Sequence, residues 1–81
     1  MNYDQILADL NVIFKRVLDN DDIIIDGNST AADYEEWDSL NNILLVVEIE
    51  KHFKVKITVT DYQGWKNAGE MAKTIELRTQ Q

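Results

Sequence analysis

Apolar and polar positions divide this chain into blocks with different rhythms, and the first block is the most regular. Tyr3, Ile6, Leu7, Leu10, Ile13, Phe14, Val17 and Leu18 recur every three to four positions, while Asp4, Asp9, Lys15 and Arg16 take the other faces. The pattern predicts an amphipathic helix over about residues 3–18. Asn2 is placed to cap it, with Gln5 in capping-box position and Asp4 in the first turn, where the helix dipole favours negative charge. From Asp19 to Asp38 the rhythm fails, and Asp19-Asn20-Asp21-Asp22 and Asp26-Gly27-Asn28-Ser29-Thr30 are loop residues. A connection of about 20 residues is unusually long for a small domain and has to be pinned. Ile23, Ile24, Ile25 and Tyr34 are the expected pins.

The second apolar block opens at Trp37-Asp38-Ser39-Leu40 and runs without Gly or Pro through Asn41-Asn42-Ile43-Leu44-Leu45-Val46-Val47-Glu48-Ile49-Glu50-Lys51-His52-Phe53. It reads as a helix of about four turns. Leu40, Ile43, Val46 (or Val47), Ile49 (or Glu50) and Phe53 mark a core-facing stripe. Leu44, Leu45 and Val47 carry the apolar character around the cylinder, so this helix is greasier than one buried face requires. Beyond it, Val55-Lys56-Ile57-Thr58-Val59 alternates with period two and, with Ile23-Ile24-Ile25, offers a two-stranded ribbon as a rival architecture. An isolated strand pair is marginal in water, which weighs against it. Thr60-Asp61-Tyr62-Gln63 has capping-box spacing and predicts a short helix around residues 60–65, with Tyr62 and Trp65 closing the end of the core. Asn67-Ala68-Gly69-Glu70 repeats the signal and starts a last helix with Ala68, Met71, Ala72 and Ile75 inward and Thr79-Gln80-Gln81 frayed.

Composition narrows the function. Eighty-one residues suit a single domain, 1–81, with one small core and no room for a substrate pocket under a lid. Eight basic against 15 acidic residues, net −7, argue against nucleic acid or an anionic membrane surface, and make basic protein patches the natural complement. Absence of Cys removes disulfides, thiolate metal sites and a Cys nucleophile, and fits a cytoplasmic protein. The polar, acidic start and the lack of a long apolar run predict no targeting segment and no membrane insertion. The acidic loop invites a calcium reading, but it lacks the ligand alternation, the glycine and the terminal Glu of an EF-hand loop, so a solvated acidic loop is the better account.

Ser39 is the candidate for chemistry. Ser and Asp before an apolar run also form an ordinary N-cap, with Asp38 capping and Ser39 an incidental neighbour. A phosphate on Ser39 would meet the positive end of the helix dipole and its free amides. Asp38-Ser39-Leu40, the helix that follows it, and Glu50-Lys51-His52-Phe53-Lys54-Val55-Lys56-Ile57 together resemble the acyl carrier protein family, and the similarity extends over essentially the whole chain.

That resemblance implies an all-α fold: a small four-helix bundle of the acyl-carrier type, three longer helices plus a short third one, with a long loop between helices one and two. It implies that Ser39, flanked by Asp38 and Leu40, bears 4′-phosphopantetheine derived from coenzyme A. The chain would then be a carrier and not an enzyme, shuttling thioester-linked acyl groups of fatty-acid, polyketide or related biosynthesis. Its partners would be a phosphopantetheinyl transferase, an acyl-loading ligase or transferase, and a ketosynthase or other acyl-processing enzyme, visited as a monomer. Matching outward from Ser39 places Asn41, Leu44, Val47, Glu48 and Lys51 on the partner-facing side. It places Leu40, Val46, Ile49, Ile57 and Trp65 nearer any acyl cavity, a set that ordinary core packing explains equally well. One departure stands out: family members usually carry carboxylates just after the motif and one turn on, where this chain has Asn41 and Leu44. The docking face is less acidic and more apolar than usual, which points to a dedicated pathway. Trp37 is expected to pack over the loop, and His52 to sit at a helix end where positive charge suits the dipole. The alternatives are an aminoacyl or peptidyl carrier and, from another class, an unmodified helical interaction module using Leu44 and Val47.

Overall fold

A computed structural model of the chain describes residues 2–80. It contains α1 (Tyr3–Val17), α2 (Ser39–Phe53), α3 (Val59–Gln63) and α4 (Ala68–Thr79), with a single 3-10 turn at Ala31–Asp33 inside the long loop. Among the described residues there is no strand. The chain is an all-α, four-helix fold with one short helix, as the sequence predicts.

α1 is the element the others lean on, packing against both α2 and α4. Its cap is the expected one: Asn2 Oδ1 accepts from Gln5 N at 2.9 Å and Gln5 Oε1 accepts from Asn2 N at 3.1 Å. Ile6, Leu10, Ile13 and Phe14 are fully buried, each removing from water a side chain worth about 1.5–3 kcal/mol. They meet Leu45, Val46, Ile49 and Phe53 of α2 and Ala68, Met71, Ala72 and Ile75 of α4 in one core. The helix ends at Val17 with Leu18 as its C-cap, and at Asp19 a φ of 52° turns the chain through the left-handed region that Asp tolerates.

The stripe expected on α2 is rotated in the structure. Leu40 and Ile43 are exposed, whereas Leu45 is fully buried. A helix apolar on nearly every side does not announce its inner face, and here the choice falls to Leu45, Val46, Ile49 and Phe53, which share an arc.

The loop is pinned as its length requires, though by partly different residues. Ile23 and Ile25 are buried, but Ile24 is 73% exposed and serves through its carbonyl, which accepts from Tyr34 Oη at 2.8 Å. Asn11 of α1 adds a clasp: its Oδ1 accepts from Ile25 N at 2.8 Å and its Nδ2 donates to Ile25 O at 3.0 Å. On the other side of the core, Gly27 O and Ser29 O accept from Gly69 N at 3.0 Å and Ala68 N at 2.8 Å, satisfying the first amides of α4 with loop carbonyls. Gly69 is required there, because a Cβ would stand 2.6 Å from Gly27 O. The same accounting explains why no ribbon forms: the main chain of Ile25 is taken by Asn11, and the amide of Ile57 donates to Glu50 Oε2 at 2.9 Å.

α3 is capped by Thr58 rather than Thr60. Thr58 Oγ1 accepts from Asp61 N at 3.1 Å and Asp61 Oδ2 accepts from Thr58 N at 3.0 Å. Both threonines precede a residue that can complete a capping box, and Asp61 wins because Arg78 of α4 also binds both its oxygens at 2.9 Å. Trp65 is half-buried and donates to Thr74 Oγ1 at 2.9 Å, and Asn67 caps α4 through Glu70 N at 2.9 Å as expected. The fraying expected from Thr79 is not found: Thr79 is helical and Gln80 is the C-cap, while Gln81 lies outside the described residues.

Asp61 gives the fold a pH signature. The Thr58 amide first, and then the Arg78 guanidinium, hold its carboxyl below its ordinary value of 3.8. The ionised carboxylate therefore contributes stability that is fully present above that value and is lost as pH falls through the lower folded one. Asp61→Asn keeps a capping oxygen but drops the charge. Its melting temperature should lie below that of the wild type by a constant margin above about pH 5, and the margin should shrink below about pH 4. A margin that grows on acidification would contradict the assignment.

Candidate functional site

The junction between the long loop and α2 is built by four consecutive residues. Trp37 is buried against the edge of the core, its ring edge-on to Phe14 with centroids 4.8 Å apart and an interplanar angle of 88°. Its Nε1 donates to Asn42 Oδ1 at 2.9 Å and its amide to Tyr34 O at 3.1 Å. The anchoring role expected of Trp37 holds, and Asn42, which the sequence reading passed over, is the residue that fixes its ring. The available signal was an amide inside an apolar helix five residues after an aromatic N–H donor.

Asp38 is extended, with φ −98° and ψ −176°, and its Oδ1 accepts from Asn41 N at 2.8 Å while its carbonyl accepts from Asn42 N at 2.8 Å. Asp38 is the cap. Ser39 is the first helical residue, is exposed, and among the described residues makes no hydrogen bond through Oγ. The chain has two serines, and Ser29 is the opposite case: it is buried, and its Oγ accepts from Asp26 N at 2.9 Å. Apart from the capping Asp38, no carboxylate stands in the first turn of α2 to oppose an anion attached at Ser39. Beside Ser39 lies an open cleft of about 360 Å³ lined by Ala31, Trp37, Asp38, Ser39, Asn42 and Trp65. Two indole rings, an asparagine amide and a free hydroxyl suit a ligand that is partly apolar and partly amide-like.

The other expected site residues separate. Leu44, Val47 and Lys51 are exposed on α2. Asn41 is half-buried and donates through Nδ2 to Glu36 O at 2.8 Å, so it also ties the loop to the helix. Glu48 is paired with Arg16 of α1 at 2.9 Å. Val46, Ile49 and Ile57 are core residues and Trp65 borders the cleft, but Leu40, expected near an interior cavity, points away from the core. Its position one residue after Ser39 puts it on the outer arc of α2.

Nothing in the neighbourhood would make Ser39 a nucleophile unaided. The sole histidine, His52, lies at the far end of α2 with Nε2 3.0 Å from Asp9 Oδ2. Two carboxylates of the loop nearest the site are engaged locally: Asp33 caps the 3-10 turn through Thr30 N, and Asn20 donates to Glu36 at 2.7 Å. That hydrogen bond, followed by one from Glu36's own backbone, holds the Glu36 carboxyl below the usual carboxylate value. Among the described residues no three His, Asp or Glu side chains cluster as metal ligands, and no helix is long and apolar enough to cross a membrane.

Comparisons with known proteins agree with this geometry. The profile of the family described as Phosphopantetheine attachment site matches residues 8–75. No curated protein matches the chain. Among solved structures, the solution NMR structure of a holo acyl carrier protein from Geobacter metallireducens is 35% identical and superimposes with a TM-score of 0.84. The match covers 89% of this chain and 83% of the other. By this fold and by both matches, the chain belongs to the acyl carrier protein family, as a carrier with a phosphopantetheine prosthetic group and not an enzyme.

Proposed function

We propose that Ser39 is the attachment residue, and that the chain acts as a single carrier domain in the cytoplasm, passing acyl intermediates between enzymes of a dedicated biosynthetic pathway. The observation that carries this reading is the division of labour at the head of α2. Asp38 does the capping, which leaves the exposed Ser39 hydroxyl uncommitted. Ser29, the other serine, is buried and hydrogen-bonded, so its hydroxyl is neither free nor accessible.

The residues present fit the group. A phosphodiester on Ser39 Oγ would stand at the positive end of a 15-residue helix, close to the unpaired amides of the first turn. The cleft beside it offers Trp37, Asn42 and Trp65 to the attached arm. When bound, the group supplies a terminal thiol that holds acyl cargo as a thioester. This chain contributes an accessible oxygen, a fixed direction for the arm and a platform beside it. With no base at Ser39, the proton of the hydroxyl has to be taken by the transferase as the new O–P bond forms and the pyrophosphate bond of coenzyme A breaks.

The pathway reading rests on the outer face of α2, where Asn41 and Leu44 stand in place of the carboxylates usual in fatty-acid carriers. That supports polyketide, lipid-modifying or aminoacyl transfer over bulk fatty-acid synthesis with standard partners. The test is labelling by coenzyme A carrying a fluorophore on its thiol, with magnesium and a phosphopantetheinyl transferase. The wild type and Ser29→Ala should be labelled and Ser39→Ala should stay dark. Label on Ser39→Ala would overturn the assignment.

A further inference from the structure

Charge is unevenly distributed along this chain. Its 15 acidic residues outnumber 8 lysines and arginines, yet residues 51–60 hold Lys51, Lys54 and Lys56 and no acid. Lys51 and His52 stand in the last turn of α2, where positive charge answers the helix dipole, and His52 is also paired with Asp9. Lys54 and Lys56 follow the last helical residue, are exposed, and form no ion pair among the described residues. The fold brings the end of α4 to the same place, and Lys54, Val55, Lys56, Thr58 and Arg78 line a cleft of about 400 Å³. Arg78 is committed to Asp61 at 2.9 Å, and Glu50, the nearest carboxylate in sequence, accepts from the Ile57 amide at 2.9 Å. The cleft is therefore lined by two unpaired ammonium groups and by no carboxylate. Lys54 is also the C-cap of α2, with φ 56° and ψ 47°, the left-handed region in which glycine is comfortable and lysine is strained. Glycine would serve the fold better at that position, so the ammonium is held on the cleft against local preference.

We propose that this cleft is a separate docking surface, which takes a short acidic segment of a protein partner and pairs its carboxylates with Lys54 and Lys56. Charge and size select the occupant. A long polyanion or an anionic membrane would extend past the two lysines onto a chain of net charge −7 and be repelled, whereas a few carboxylates in a small cleft meet only the basic end. A second copy of this chain would bring the same net charge of −7 to the contact, which opposes association. α2 has 15 residues and so rises about 22 Å, which puts the cleft and Ser39 at opposite ends of the helix. An acidic segment held at the cleft leaves the head of α2 open. It also keeps the chain beside its partner, so that a second contact at the other end forms at high effective concentration.

The experiment is an amide-resolved NMR titration of the full chain with an end-blocked hexaglutamate peptide, with hexaglutamine and inorganic phosphate as comparison probes. In about 0.05 M NaCl hexaglutamate should move the amides of Lys54, Val55, Lys56, Thr58 and Arg78 first and hexaglutamine none of them, and about 0.5 M NaCl should weaken binding at least about fivefold. Lys54→Gly and Lys56→Gln should each weaken binding about threefold. Lys54→Gly should at the same time raise the melting temperature, a combination that a merely structural lysine would not give. Lys73→Gln, which removes an exposed lysine of α4, and Ser39→Ala should bind as the wild type does. Shifts spread equally over Lys15, Lys66 and Lys73 would mean diffuse attraction; phosphate moving the cleft amides as readily as the peptide would mean a small-anion site; and cleft shifts on diluting the chain alone would mean a second copy. Each of these overturns the proposal, as does a Lys54→Gly protein that binds unchanged or melts lower. None of them touches the Ser39 assignment, because no part of the contact uses that hydroxyl.

Discussion

Trp37→Ala is expected to destabilise the protein by about 3–5 kcal/mol, the usual cost of removing a large buried aromatic. Against a total stability of about 5–15 kcal/mol for a small domain, that is enough to leave a sizeable unfolded fraction. The indole is buried, meets Phe14 edge-on at 4.8 Å and donates to Asn42 at 2.9 Å, so its loss opens a cavity and strands a polar acceptor at the same time. Trp37→Phe separates the two contributions: it keeps most of the packing and removes only the N–H donor, for an expected loss of about 1–2 kcal/mol. Urea unfolding of the three proteins measures both values. Because Trp37 immediately precedes Asp38 and Ser39, Trp37→Ala should also slow loading of the fraction that remains folded, whereas Trp37→Phe should not. A Trp37→Ala variant as stable as the wild type would contradict the placement of this ring in the core.

Asp38 and Ser39 should show opposite phenotypes. Asp38→Ala removes the side chain that accepts Asn41 N at 2.8 Å and should cost about 1 kcal/mol, the usual worth of an N-cap. Ser39→Ala removes a hydroxyl that bonds nothing among the described residues and should change stability by no more than about 0.5 kcal/mol, as for an ordinary surface substitution. In loading the order reverses: Ser39→Ala should accept no prosthetic group under any condition, while Asp38→Ala should still be modified at a reduced rate. Equilibrium unfolding and labelling of the same two preparations give the four values. A Ser39→Ala protein that is strongly destabilised would return Ser39 to a structural role.

α1 and the start and inner face of α4 were legible in the sequence because each has a regular apolar face and an unambiguous cap, Asn2 with Gln5 and Asn67 with Glu70, whereas the end of α4 extends further than expected. α2 was legible as a helix but not in its orientation. Five consecutive apolar residues from Ile43 to Val47 satisfy any choice of inner face, and only packing against α1 selects Leu45 over Leu40 and Ile43. The loop failed in the same way, since Ile23, Ile24 and Ile25 are equivalent as a string, and burial of the outer two follows from the clasp that Asn11 places on Ile25. Such long-range side-chain bonds to main chain leave no periodic trace. At α3 two threonines competed for the cap, and the outcome depended on Arg78, seventeen residues beyond Asp61.

The candidate site was more legible than its surroundings because its chemistry is local. Asp38-Ser39-Leu40 and the helix after it are contiguous, so the cap and the free hydroxyl follow from neighbouring residues. What needed the structure was the cleft, which brings Ala31 and Trp65 to Ser39 from distant parts of the chain, and the pairing of Glu48 with Arg16. Both change how the outer face of α2 reads, and neither has a signal in the local sequence.

The measurement that tests this account most directly is mass spectrometry of the wild-type chain after incubation with coenzyme A, magnesium and a phosphopantetheinyl transferase, intact and then as peptides. The account expects the gain of a single phosphopantetheine group, carried by the peptide that contains Ser39 and absent from the one that contains Ser29. A folded chain that gains nothing from several transferases, or that carries the group on any other residue, would contradict it.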